Sequence, residues 1–372
     1  MPHNGTKKAP GTGEAAMSAL IGRIATGPEL SKDLSREEAR HAMRMILEGS
    51  VDPVQAGVFL IALRMKRETD DENLGVLDAI RDSAIVVSAA VDEIVDVADP
   101  YDGYTRSLPS SPFLPVVLAA CGVPAVSHGL ENVGPKYGVT HHQILKAAGV
   151  PVDLSSTEAA IRIADPTIGW AYLDQKAFCP DLHALLTLRR LIVKRPVLTT
   201  VETLIGPVRG RNKTHLVTGY VHKPYPRIYA LLARQAGLDS ALIVRGTEGG
   251  VTPSLRQTGA FVYYHDRGEE NIVEIHPADL GIVRDIRAAP LPGYSADTDQ
   301  ALPFDHVAAA SAAADAGLHA LEGVPGPTRD GLIYSAAMCL WHVRRCDSPQ
   351  AGAAIVRDVL DQGRALTHLG QG

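Results

Sequence analysis

From Val91 onward, short β-branched runs alternate with helical patterns, and no other feature constrains the fold of this chain as tightly. Ile94–Ala98, Val123–Val126, Gly169–Leu173, Leu216–Val221, Ala241–Val244 and Phe261–Tyr264 read as strands. Helical patterns fall between them, over Phe113–Cys121, Thr140–Ala148, a segment capped by Ser155-Ser156-Thr157-Glu158, Asp181–Leu191 and Arg227–Ala236. Strands joined through helices need crossover connections, so the pattern predicts a largely parallel sheet covered on both faces. Residues 285–300 read as a Pro/Gly/Asp loop, and helices over about Phe304–Leu321, Arg329–Arg345 and Pro349–Leu366 close the chain. No internal repeat is visible.

Four helices precede the sheet. Met17–Ala25 is short and amphipathic, and Ser35-Arg36-Glu37-Glu38 is a capping box opening a helix that stops at Gly49. Asp52-Pro53 starts the third, because proline at the first helical position sacrifices no hydrogen bond. Thr69-Asp70-Asp71-Glu72 is a second capping box, opening the fourth helix to about Ser83. Helices this short persist only when packed, which predicts a small bundle. Residues 1–16 are polar and Gly/Pro-rich and are expected to form a disordered leader, with Met17 an alternative start to Met1. Gly11-Thr12-Gly13 follows no strand and is therefore no nucleotide fingerprint.

Composition narrows the class. An apolar content of 45% with 21% charged residues excludes wholesale disorder, and 5% aromatics suits close helix-on-sheet packing. There is no apolar run near the ~20 residues a bilayer crossing needs, and no apolar core of a signal peptide. Cys121, Cys179, Cys339 and Cys346 include no Cys-x-x-Cys pair, which argues against disulfides and zinc and for a reducing cytoplasm. The net charge of −6 argues against general nucleic-acid binding. Yet Arg189–Arg234 holds ten Lys/Arg against one acid, Glu202. That stretch is either a basic face meeting an anion or a set of charges dispersed in three dimensions.

A helical bundle, then strand, loop, helix, strand and a His-Gly turn, resembles the anthranilate phosphoribosyltransferases of glycosyltransferase family 3. These share their fold with the pyrimidine nucleoside phosphorylases. The resemblance runs from about Met17 to Leu369 and rests on Gly57–Lys66, Ala119–Pro124 with Ser127-His128-Gly129, Gly206-Pro207 and Asp361-Gln362-Gly363. It implies an α/β protein with a small N-terminal helical domain (17–86, joined by helices from about 180–200). A larger α/β domain (90–372) with a mostly parallel central sheet would follow. It also implies a tryptophan biosynthesis-related fold, a homodimer through the helical domain, a phosphorylated ribose donor and an aromatic or carboxylate acceptor in the interdomain cleft.

The family's residues carry over unevenly. Its Gly-Thr-Gly-Gly-Asp-Gly phosphate loop matches Ala98-Asp99-Pro100-Tyr101-Asp102-Gly103, where only Asp102-Gly103 survive. Pro100 removes an amide donor and Asp99 puts negative charge where an anion should sit, so this loop is expected to be a poor backbone cradle. Arg106 and Ser111, among the hydroxyls that follow, offer either a phosphate site built from side chains or a polar turn capping the helix at Phe113. Lys136 matches a family lysine beside the phosphates, with a plain surface lysine as the alternative. His128-Gly129 resembles the acceptor-side Lys-His-Gly with Ser127 replacing the lysine, against a hydrogen-bonded structural histidine as the commoner role. Arg189 matches the arginine holding the acceptor carboxylate, against a basic helix end favoured by the dipole. Arg190 can exchange roles with Arg189. The family's Mg²⁺-binding Asp-Glu pair falls on Val251 and Thr252, leaving Glu248 as the one candidate oxygen ligand.

These losses place the chain nearest the branch with decayed motifs, typified by Gly-Thr-Glu-Gly. They make Mg²⁺ and standard anthranilate phosphoribosyl transfer doubtful expectations. Two readings stand. One is a pentosyl or phosphoribosyl transferase using Asp102, Gly103, Arg106, Ser111 and Lys136 for the donor, with His128, Gly129 and Arg189 for the acceptor. The other is a non-catalytic nucleic-acid-binding or regulatory protein, with Tyr220, Tyr225 and Tyr229 as stacking rings on the basic stretch.

Overall fold

The computed structural model describes residues 11–27, 29–292 and 304–370. They divide into two compact units, Met1–Ser83 with Asp181–Glu202, and Ala84–Pro180 with Thr203–Gly372.

The first unit is helical. α1 (Thr12–Ile24), α2 (Arg36–Leu47), α3 (Pro53–Lys66) and α4 (Asp70–Ser83) are joined by short helices at Leu186–Ile192, against α3, and Leu198–Val201, against α4. Both capping boxes form: Ser35 and Glu38 cap each other's amides, and the Thr69 amide donates to Glu72 Oε2 at 2.9 Å. Glu72 does more than cap. It is fully buried, accepts from the Leu34 amide at 2.9 Å and pairs with Lys66 Nζ at 2.7 Å, tying the α2 entry to the α3 exit. A Cβ at Gly75 would lie 2.2 Å from the Arg36 carbonyl oxygen, so α4 and α2 touch backbone to backbone there. Met17, Met43, Phe59, Leu60 and Ile80 fill the interior. Val54 (73% exposed), Val58 and Met65 (76%) instead run along the outer side of α3.

α1 begins at Thr12, so the disordered leader expected over residues 1–16 does not extend over 12–16; residues 1–10 lie outside the described residues. Packing decided this. The Gly11 amide donates to Glu14 Oε2, Gln55 Nε2 donates to the Glu14 carbonyl, and a Cβ at Gly13 would press within 2.6 Å of the Ser50 carbonyl oxygen.

The second unit is α/β. Its strands are β1 (Val87–Ser88), β2 (Glu93–Ala98), β3 (Ala125–Gly129), β4 (Trp170–Asp174), β5 (Val208–Arg209), β6 (Lys213–Tyr220), β7 (Ser240–Arg245), β8 (Gly259–Tyr264) and β9 (Asn271–Ile275). β1 and β5 form a parallel ribbon, and the main sheet has the order β4-β3-β2-β6-β7-β8-β9. It is parallel from β4 through β7, with β8 and β9 antiparallel. The strand expected at Val123–Val126 starts instead at Ala125, because Pro124 has no amide for the ladder; its carbonyl accepts from Val95. β9, absent from the sequence reading, is a half-exposed edge strand without a clean apolar alternation. The helix expected over Asp181–Leu191 is broken into Pro180–His183 and Leu186–Ile192.

Helices Leu114–Ala120, His306–Leu321, Pro327–His342 and Pro349–Asp361 build the core with the sheet. Gly317 makes a notch for Phe113: a Cβ there would sit 1.9 Å from the ring. The last helix expected, Pro349–Leu366, breaks at Gly363 (φ +65°) and resumes over Arg364–His368. Part of the loop expected at 285–300 lies outside the described residues. No helix among the described residues is long and apolar enough to cross a membrane.

Strand order positions the site. The chain leaves β2 for β3 on one side and returns through β6 to β7 on the other, so the loops after β2, β6 and β7 meet where the winding reverses. In open α/β sheets, that carboxyl-end crevice is where ligands bind.

Candidate functional site

Asp99 follows β2 directly and is almost fully buried. Its Oδ2 accepts from Tyr104 Oη at 2.5 Å and Ser111 Oγ at 2.8 Å and lies 2.9 Å from His141 Nε2; its Oδ1 accepts from the Val251 amide at 2.8 Å. Burial pushes the carboxyl up, but His141 and these donors outweigh it and hold it below its ordinary value. The charge expected to repel an incoming anion is therefore satisfied inside the fold. Ser111, expected to contact donor phosphate, is fully buried in this network. His141 belongs to it too, while Thr140 Oγ1 caps the helix over His141–Ala147.

Beyond Tyr104 the chain forms an anion cradle. The amides of Thr105 (3.1 Å), Arg106 (3.0 Å) and Ser107 (2.9 Å) donate to the carboxylate of Glu248. Ser107 Oγ (2.8 Å) and Thr105 Oγ1 (3.4 Å) add to them, and Lys136 Nζ lies 2.8 Å from Oε2. Successive amides converging on one anion make a nest. Burial raises the Glu248 carboxyl, yet the Lys136 ammonium and these hydrogen bonds hold it below the ordinary carboxylate value. With the Gly-rich turn lost, a site built from side chains and a polar turn were both open; at Thr105–Ser107, just beyond Gly103, backbone amides hold the carboxylate. Arg106 contributes its amide while its side chain is exposed. Lys136 also lies 5.3 Å from the Tyr104 ring centroid. Asp102 is buried, and Gly103 (φ +71°) abuts the Val139 carbonyl, 2.5 Å from where a Cβ would stand.

Of the residues expected to meet an acceptor, buried His128 has both nitrogens engaged, Nδ1 with Tyr101 Oη and Nε2 with Asp96 Oδ1 at 2.7 Å. A Cβ at Gly129 would come within 3.3 Å of Tyr172 Oη. Arg189 belongs to the helical unit, where its guanidinium forms a buried bidentate pair with Glu202 at 2.7 and 2.6 Å. Arg190 is exposed.

The positions matched to the family's Mg²⁺-binding acids carry no carboxylate. Val251 is buried, and the Thr252 hydroxyl bonds Ser110 Oγ at 3.1 Å, so an apolar side chain and a neutral hydroxyl stand where the family has two acids for a hard cation. Glu248 already has an ammonium and five N–H or O–H donors on its oxygens, and no cluster of three or more metal-ligating side chains occurs among the described residues.

Sequence and structure comparisons agree with this architecture. The helical bundle domain of the glycosyl transferase family matches residues 18–84 and its a/b domain residues 107–366. An uncharacterized protein of Aquifex aeolicus is 32% identical over 68% of this chain and 74% of its own. The anthranilate phosphoribosyltransferase of Nitrobacter hamburgensis is 29% identical over 95% and 97%. Among solved structures, anthranilate phosphoribosyltransferase from Thermus thermophilus superposes with TM-score 0.70 at 20% identity over 95% and 97% of the chains. The Saccharomyces cerevisiae enzyme in complex with PRPP and Mg superposes with 0.73 at 16% over 96% of each.

Asp99→Asn should lower stability at neutral pH by about 3 kcal/mol, since buried donors then face an amide in place of a carboxylate. A carboxyl depressed in the folded state stabilises above its unfolded value, here near 3.8, and that contribution is lost as pH falls through the lower folded value. The gap between wild type and variant should therefore close below about pH 4 in urea titrations. A gap that persists unchanged at acid pH would contradict this.

Proposed function

This chain belongs to the glycosyl transferase family of that helical bundle and a/b pair, and on that premise we propose that it binds a phosphorylated ribose at the Thr105–Ser107 cradle. The carrying observation is the carboxylate of Glu248 lying in it: three amides, two hydroxyls and the Lys136 ammonium already hold an oxyanion. A phosphoryl group presents oxygens of the same kind with more charge. Asp102 and Gly103 shape the preceding turn, Ser111 steadies it through Asp99, and the exposed Arg106 side chain is the proposed contact for the rest of a pyrophosphate. Lys136 takes the charge-neutralising part that Mg²⁺ plays elsewhere.

The acceptor half supports less. His128 and Arg189 are committed to Asp96, Tyr101 and Glu202, so an aromatic or carboxylate acceptor has to compete with partners already in place. The reading is therefore donor binding with weak or absent transfer to anthranilate. The nucleic-acid alternative keeps one favourable observation, the Tyr225 and Tyr229 rings with centroids 5.5 Å apart. Against it, Tyr220 is buried, and Arg189, Arg209, Lys213 and Arg234 of the basic stretch are bonded to the chain's own carboxylates or carbonyls. It requires a steep salt dependence of single-stranded DNA binding.

The exposed Val54, Val58 and Met65 stripe on α3 supports a homodimer through the helical unit. Light scattering should report a dimer that Met65→Glu weakens or dissociates; a monomeric wild type would exclude it. For the donor site, calorimetry with PRPP and with ribose 5-phosphate should show binding that Mg²⁺ barely changes. Lys136→Ala should weaken it at least about tenfold, or ~1.4 kcal/mol. No heat at millimolar ligand, with or without Mg²⁺, from wild type and from Glu248→Ala alike would sink this reading.

A further inference from the structure

We propose that Glu248 is an intramolecular competitor for the ligand phosphate, so that the cradle takes up a phosphate monoester only by expelling this carboxylate. The inference rests on the donor-site reading above and adds the regulation of that site.

Both halves of the contact are held in place without it. On the cradle side, Tyr104 and Val139 exchange amide-to-carbonyl bonds at 2.9 and 2.8 Å, and the Leu108 amide donates to the Ala289 carbonyl at 2.8 Å. On the Glu248 side, the Thr247 amide donates to the Thr252 carbonyl at 2.8 Å, the Gly250 amide to the Thr247 carbonyl at 3.0 Å, and the Val251 amide to Asp99. The side chain can therefore leave by rotating about its own bonds while the two loops stay put. Six donors would then lose their acceptor; water can hydrogen-bond to them, but only another anion also returns the charge that balances the Lys136 ammonium.

The hold on Glu248 also carries a strain. Its backbone sits at φ +53°, in the left-handed region, between Thr247 and Gly249. A side chain serving only to brace the loops needs neither that conformation nor three donors on each oxygen. A phosphate monoester brings three terminal oxygens and close to two charges to the same donors, which favours it over one carboxylate. A free carboxylate has no such advantage. The site should therefore select phosphate over carboxylate, and binding should be weaker than the cradle itself allows.

The test is calorimetry on the full chain with inorganic phosphate and ribose 5-phosphate, comparing wild type, Glu248→Ala and Glu248→Gln. The glutamine variant keeps the size but turns an NH₂ toward the donors, and it serves should the alanine variant fold poorly. Both variants should bind phosphate at least about tenfold more tightly than wild type, and Glu248→Ala/Lys136→Ala should lose the gain. Phosphate should also raise the melting temperature of Glu248→Ala more than that of wild type. Equal or weaker affinity in folded variants would overturn the competitor role while leaving the donor site standing. No phosphate binding by wild type or either variant would overturn both.

Discussion

A carboxylate buried away from water must be met by donors, and Asp99 is met from four directions. Its position at the end of β2 puts the charge where the sheet reverses its winding, and the partners come from three separate stretches of chain. Tyr104 and Ser111 fold the loop after β2 back on itself, His141 brings in the helix after β3, and the Val251 amide fixes the loop after β7. That buried charge anchors both loops, and the Ser110–Thr252 hydroxyl contact ties them a second time. Together they hold Thr105–Ser107 and Glu248 face to face.

The result is a site in which the chain has internalised its electrostatics. Where a magnesium-binding pair would need paired acids, a threonine hydroxyl and a valine stand, and positive charge comes from an ammonium on a rigid turn. Where a glycine turn would offer amides, three ordinary residues downstream offer theirs. An ammonium differs from a divalent ion in the work it can do. It neutralises and orients an oxyanion but does not bridge several phosphoryl oxygens as a metal does. On the proposed reading, binding of a phosphate and weak expulsion of pyrophosphate are therefore compatible on one scaffold.

The fold was legible to a large extent because its signals are local. Ser35, Asp52 and Thr69 announced their helices through the amides they cap, and the β-branched runs around Val95, Val217 and Ile243 marked parallel strands. What was misread depended on partners distant in sequence. α1 begins before Met17 because Gln55 and Ser50 hold its first turn, and β9 exists because β8 offers it an edge. The candidate site was legible by residue more than by role. Lys136 and Glu248 stood out from their Gly-flanked turns, while Thr105–Ser107 drew notice for their side chains and act through their amides.

By itself the sequence determined most of the element types, the parallel sheet, the helical unit and the absence of acids at Val251 and Thr252, since side-chain chemistry and periodicity are written residue by residue. Tertiary structure alone decided that Glu248 fills the cradle, that His128 spends both nitrogens on Asp96 and Tyr101, and that Arg189 is locked to Glu202. The reason is physical: whether a polar group is free or satisfied depends on what folding places within about 3 Å of it, and neither Glu248 nor the amides of Thr105–Ser107 carry any local mark of the other.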